Sequence, residues 1–92
     1  MNRSQIAQQL AAKFSHLTQK DAEDALNVIL EAMGNSLAGK QRIEIRGFGS
    51  FTTVRRQPRI GRNPRTGDSV SVPERTVPHF EPSKLLREAV DT

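Results

Sequence analysis

Cysteine, tryptophan and tyrosine are all missing from this chain, and the aromatic complement is four Phe in 92 residues. Without cysteine, neither a disulfide framework nor a thiolate metal site can compensate for a small core. A chain of this length allows one domain, expected over residues 1–92, and buries a modest fraction of its surface. Hydrophobic residues make up only 35% of it. With so thin an apolar supply and no covalent staple, oligomerisation is the remaining common remedy. No apolar run approaches the roughly 18 residues of a membrane span, and no signal-peptide core opens the sequence. The expectation is a cytoplasmic protein with no membrane association.

Catalytic chemistry is also poorly provided for. His16 and His79 are the only imidazoles, without clustered partners for a metal and without a Ser/His/Asp spacing. Gly61 to Ser69 resembles a phosphate loop only superficially. Asp68 follows Gly67 where Lys is required, and Thr66 stands where the second Gly belongs. Gly47-Phe48-Gly49 lacks the third Gly of a dinucleotide fingerprint, because position 52 is Thr. Asn2-Arg3-Ser4 matches a glycosylation acceptor, which has no meaning without secretion. Neither an enzyme nor a cofactor is expected.

What the chain has in excess is arginine in one place. The net charge of +4 is made of −1 over residues 1–39, +7 over 40–65 and −2 over 66–92. The central block holds Lys40, Arg42, Arg46, Arg55, Arg56, Arg59, Arg62 and Arg65 against Glu44 alone. Arginine suits phosphate forks and narrow minor grooves, whereas lysine acts more as a point charge. A solvated face or a disordered tail is the plain alternative for such a run.

Periodicity places this block on strands. Asn2 and Gln5 fit a capping box, and Ile6, Leu10 and Phe14 repeat at helical spacing. Thr18 caps a second helix, whose stripe is Ala22, Ala25, Leu26, Ile29, Leu30, Met33 and Leu37, with Gly39 as terminator. After Gly39 the period becomes two, setting Ile43 and Ile45 opposite Arg42, Glu44 and Arg46. Gly47-Phe48-Gly49 turns the chain into a second strand, Ser50 to Arg56. Arg55 to Pro73 has little to bury and carries a concentrated turn signal at Gly61–Gly67. It reads as a β-ribbon arm, Arg55 to Asn63 extending roughly 30 Å, mobile until something holds it, with a disordered loop as the competing reading. Val77 to Phe80 forms a short strand, broken by Pro82, and Ser83 caps a last helix with Leu85, Leu86 and Val90. The fold class is therefore α+β: an N-terminal helical hairpin, a three-stranded antiparallel sheet with a long β-ribbon arm, and a short C-terminal helix.

Basic arms that enter a minor groove need cations along a narrow backbone, and a rigid apolar tip can wedge between base pairs. Pro64, flanked by Arg62 and Arg65, suits that position, although a Pro in a turn also simply shapes it. Glu44 between Arg42 and Arg46 can accept their N–H groups and fix their orientation, or form an ordinary surface ladder. An RNA-binding module would need exposed aromatics, and all four Phe are expected at core positions. A pure protein-interaction domain leaves the concentrated Arg unexplained.

These segments resemble the bacterial HU/integration host factor family over essentially the whole chain. Arg46-Gly47-Phe48-Gly49-Ser50-Phe51 is similar to the family's hairpin motif, and Gly61-Arg62-Asn63-Pro64-Arg65-Thr66-Gly67 to its arm tip. Val77-Pro78-His79-Phe80-Glu81-Pro82-Ser83-Lys84 is similar to its approach to the last helix. Arg42-Ile43-Glu44-Ile45-Arg46 and Val77–Phe80 resemble the beta subunits of integration host factor more than HU. The resemblance implies an intertwined dimer, with an alpha subunit or as a homodimer, that binds preferred sites in double-stranded DNA from the minor groove and bends it sharply; the alternative is an HU-like homodimer that binds DNA with little sequence preference. It implies an intercalating Pro64 and DNA contacts from Arg42, Glu44, Arg46, Arg55, Arg56, Arg59, Arg62, Asn63, Arg65 and Lys84. It implies roles in recombination, transcription and translation regulation, and nucleoid architecture. Glu81 and Ser83 depart from the pattern, since many beta subunits carry a basic residue and Gly there. Glu81 weakens the case for a phosphate clamp beside the last helix.

Overall fold

The structure, a computed structural model, describes residues 1–91. It divides into two compact units, Met1–Ser36 and the chain from Leu37 onward. The first holds α1 (Arg3–Lys13) and most of α2 (Gln19–Ala38). Both helices start on reciprocal caps. The Asn2 side chain accepts the Gln5 N–H at 2.9 Å, and the Gln5 side chain accepts the Asn2 N–H at 2.9 Å. Thr18 and Asp21 repeat the device, at 3.0 Å to the Thr18 hydroxyl and 3.1 Å to the Asp21 carboxylate. The Thr18 N–H, and then its hydroxyl, hold the Asp21 carboxyl below its ordinary 3.8. Each cap contributes about 1 kcal/mol. At the far end of α2 the left-handed residue is Lys40, with φ 59°, rather than Gly39. Its N–H closes the turn on the Leu37 carbonyl at 2.9 Å.

The helices are tied by Arg3 Nη1 to Asn27 Oδ1, 3.0 Å, and by Gln19 Nε2 to the Ser4 carbonyl, 3.4 Å. Among the described residues only Ala7 and Ala22 are fully buried hydrophobics. The expected stripes exist but are not covered. Phe14 remains 47% exposed, Ile29 52% and Leu30 41%. No helix of the described residues is long and apolar enough to cross a membrane.

The second unit is built on β1 (Ile43–Ile45), β2 (Gly49–Arg56) and β5 (Arg75–Pro82), an antiparallel sheet in the order β1-β2-β5. β3 (Arg59–Arg62) and β4 (Ser69–Val72) form a separate two-stranded ribbon, and α3 (Lys84–Val90) follows. The period of two sorts the sheet as the pattern requires. Ile43, Phe51 and Phe80 share one cross-strand row, while Glu44, Ser50 and Glu81 share the next on the opposite face. Phe51 and Phe80 rings lie 4.6 Å apart, with Phe48 5.5 Å from Phe80.

One expectation is corrected here. β5 is an eight-residue strand that contains Pro78 and ends at Pro82, not a short Val77–Phe80 segment. It lies at a sheet edge, where a proline nitrogen turned away from the ladder costs no hydrogen bond. The arm is a paired ribbon, as expected, but shorter than 55–73. Its own ladder spans residues 59–72, while Arg55 and Arg56 still belong to β2 and pair with Thr76 and Arg75.

Two glycines make the β1–β2 hairpin possible. Gly47, φ +82°, sits in the turn closed by the Phe48 N–H on the Ile45 carbonyl, 3.0 Å. Gly49 is buried against β5, where an added Cβ would lie 2.6 Å from the Glu81 carbonyl oxygen and 2.6 Å from the Phe80 ring. The next link is the Ser83 N–H, which donates to the Phe48 carbonyl at 2.9 Å while the Ser83 hydroxyl caps α3 at Leu86, 3.1 Å. Gly49→Ala should therefore destabilise by about 1–3 kcal/mol, the usual cost of overpacking. Thermal melts followed by circular dichroism should show a fall of several degrees.

Candidate nucleic-acid interface

Three groups of basic residues are positioned by the second unit. The first surrounds a cleft of about 330 Å³ whose lining includes Arg42, Glu44, Arg46, Ser50, Glu81 and Ser83. It brings the Arg42-x-Glu44-x-Arg46 face together with the residues before α3. Glu44 does not tie the two arginines together, as the spacing suggested. Arg42 Nη2 donates instead to the Ser50 hydroxyl across the ladder, at 3.1 Å. The ion pairs among the described residues are Lys20–Asp24, Arg55–Glu74 and Lys84–Glu88. The reason is geometric. Residues two apart on a strand are separated by about 6.6 Å along it, whereas a residue on the adjacent strand is about 5 Å away. Glu44 lines the cleft in the same row as Glu81, with no ion-pair partner among the described residues.

Lys84 opens α3 and pairs loosely with Glu88, one turn on, at 3.9 Å. Both side chains are exposed, so the pair is worth little.

The second group lies at the root of the arm. Arg55 Nη2 meets Glu74 Oε2 at 2.5 Å. Beside them is a hollow of about 510 Å³ lined by Arg56, Gln57, Arg59, Val72, Pro73 and Arg75. Arg75 was not among the residues singled out from sequence, because the basic block ends at Arg65. It stands directly opposite Arg56 in the ladder. Folding the ribbon symmetrically about residues 65 and 66 would have found it. Like charges placed opposite each other are destabilising unless an anion comes between them.

The third group is the arm tip. Asn63 organises it. Its carbonyl accepts the Gly67 N–H at 2.7 Å, its N–H donates to the Asp68 carbonyl at 2.9 Å, and its side-chain oxygen accepts the Arg65 N–H at 2.9 Å. Arg62 Nη1 donates back to the Gly67 carbonyl, 3.1 Å. Gly67 takes φ +75° to close the loop. Pro64 and Arg65 are exposed at the apex. The predicted residues thus separate into those that build the tip, Arg62 and Asn63, and those it presents, Pro64 and Arg65.

Comparison with known proteins places this arrangement. A sequence profile described as "Bacterial DNA-binding protein" matches residues 1–91. The chain is 56% identical over 91 residues to integration host factor subunit beta of Herminiimonas arsenicoxydans, covering 99% of this chain and 90% of that protein. It is 50% identical over 92 residues to the same subunit of Methylococcus capsulatus, covering 100% and 97%. Among solved structures, an HU–DNA cocrystal structure from Anabaena matches with a TM-score of 0.90 at 33% identity, over 99% of this chain and 98% of that one. HU from Thermotoga maritima matches with a TM-score of 0.68 at 30% identity, over 99% and 100%.

The opposed pair at the arm root gives a direct test. Arg56→Ala and Arg75→Ala should each reduce the log–log salt slope of duplex DNA binding by about 0.9, one phosphate's worth. Equal losses in equilibrium titrations would put Arg75 at the duplex beside Arg56, although only Arg56 belongs to the basic block.

Proposed function

The chain belongs to the bacterial DNA-binding protein family, that of HU and integration host factor, and from that membership we propose that it is a beta-type subunit of a DNA-bending dimer. It binds double-stranded DNA, and its protein partner is an alpha-type subunit of the same fold. HU and integration host factor are themselves standard examples of minor-groove proteins that insert apolar wedges and kink the duplex. Residues 1–92 work as one DNA-binding module, with the ribbon as its reaching arm.

The observation that carries the reading is the arm tip. Pro64 stands exposed at the apex of a narrow ribbon whose strands carry Arg59 and Arg62. A proline ring has no N–H to leave unsatisfied when it slides between base pairs, and its φ is already fixed. The Asn63 side chain holds the backbone on the far side of the ring through the Arg65 N–H. The wedge is thereby organised before DNA arrives, which reduces the ordering cost of binding. Bending a site sharply costs on the order of 1–6 kcal/mol, repaid by the extra contacts that the bend allows. Those contacts are the arm-root arginines Arg55, Arg56, Arg59 and Arg75, Arg65 at the tip, and Arg42, Arg46 and Lys84 beside the body. Glu44 acts by exclusion, since its carboxylate repels a phosphate that approaches in the wrong register.

The work of such a protein is architectural rather than catalytic. It shapes DNA for recombination, transcription and nucleoid organisation, and its place in the bacterial cell is on the nucleoid. Pro64→Ala should lower the bend, measured by end-to-end fluorescence transfer on a labelled duplex, more than it lowers affinity. A loss of no more than about tenfold in Kd, equivalent to about 1.4 kcal/mol, is expected beside a clear loss of transfer. An unchanged bend would remove Pro64 from the mechanism.

A further inference from the structure

The ladder between β2 and β5 runs without a slip from Gly49 opposite Pro82 to Arg56 opposite Arg75. It resumes as β3 and β4 with Arg59 opposite Val72. Between the two lie Gln57 and Pro58 on one side and Pro73 and Glu74 on the other, none of them in a strand. The interruption is symmetric, so register is kept while pairing is lost. Each side carries a proline, which has no N–H to donate across the gap. This is the weakest point of the ribbon, and it also concentrates Arg55, Arg56, Arg59 and Arg75, whose mutual repulsion favours opening. Glu74 is the one acid within it, and its carboxylate meets Arg55 at 2.5 Å, the only ion pair among the described residues that links the two sides of the ribbon.

We propose that Glu74 is a positioning residue: its ion pair with Arg55 braces the proline joint and holds the arm in line with the body sheet. The pair is exposed on both sides, so it adds little to global stability. Here it needs only to oppose the bending of a joint that lacks ladder hydrogen bonds. Glu74 also withholds Arg55 from other anions, so the brace must yield whenever Arg55 takes a phosphate. This account rests on the DNA-bending reading for its consequence, but the brace itself is a property of the free protein.

Glu74→Gln keeps the shape of the side chain and removes its charge. In the free protein it should accelerate amide hydrogen exchange at residues 59–62 and 69–72 about two- to fivefold, the range open to an exposed ion pair. The charge-swapped double variant, Arg55→Glu with Glu74→Arg, should return exchange to the wild-type rate. About 1 M salt, which screens the ion pair and the arginine repulsion alike, should narrow the difference in exchange between wild type and Glu74→Gln. Bound to the same labelled duplex, where Arg55 has exchanged Glu74 for a phosphate, Glu74→Gln should show the same spread of bend angles as wild type with no loss of affinity. Unchanged exchange in Glu74→Gln, or exchange as fast in the swap as in the single variant, would overturn the brace. Failure of the wild type to bend the duplex would instead overturn the DNA-bending reading, leaving the exchange result to decide the brace.

Discussion

Everything in this molecule depends on the shortage of interior. Among the described residues no large side chain is fully buried, and the buried hydrophobics are two alanines, Ala7 and Ala22. The apolar side chains that a helical protein would place in its core remain uncovered, Phe14, Val28, Ile29 and Leu30 among them. Burying such groups contributes about 1.5–3 kcal/mol each, so a chain that leaves them in water forgoes the main force that folds proteins. The caps, the Gly49 approach and the phenylalanine cluster shape each unit, but none of them substitutes for a covered face. The dimer proposed above gives these faces a cover in a second chain of the same fold, which makes association part of folding rather than an event after it.

The same economy explains the arm. A ribbon with Ile60, Val70 and Val72 as its only apolar residues cannot join a core. Its ladder and its tip hold it as a structure, and its charge gives it a use. The prolines at 58 and 73 separate it from the body sheet without changing register, so that whatever the body fixes the arm inherits in alignment. Apart from Lys40 just past the end of α2, the basic residues of 40–65 are then distributed over three places: the cleft by the β1–β2 hairpin, the arm root and the tip.

Much of this was legible in the sequence, for identifiable reasons. Helix starts could be read because capping is local chemistry, as at Asn2, Thr18 and Ser83. The switch from a period of about four to a period of two at Gly39 located the sheet, and the turn residues at 61–67 located the tip. The misses were non-local. The last strand reads short from sequence, as Val77–Phe80, because its ladder with β2 over residues 75–82 is not visible in the local pattern, and an edge position tolerates Pro78 within it. The Glu44 pairing failed because the nearer hydrogen-bond partner of Arg42, Ser50, lies on another strand. Arg75 and Glu74 escaped notice because both stand outside the basic block and acquire their meaning only when the ribbon folds back on itself. The helical spacing of the apolar residues also located α1 and α2 while leaving open what would cover their stripes.

The dependence of folding on association is tested most directly by thermal unfolding across a range of protein concentrations, with sedimentation on the same samples. The account predicts that the chain, alone or mixed with an alpha-type subunit, sediments as a dimer wherever it melts cooperatively. It also predicts that the melting temperature rises with concentration. A chain that sediments as a monomer and melts cooperatively at a temperature independent of concentration would contradict it.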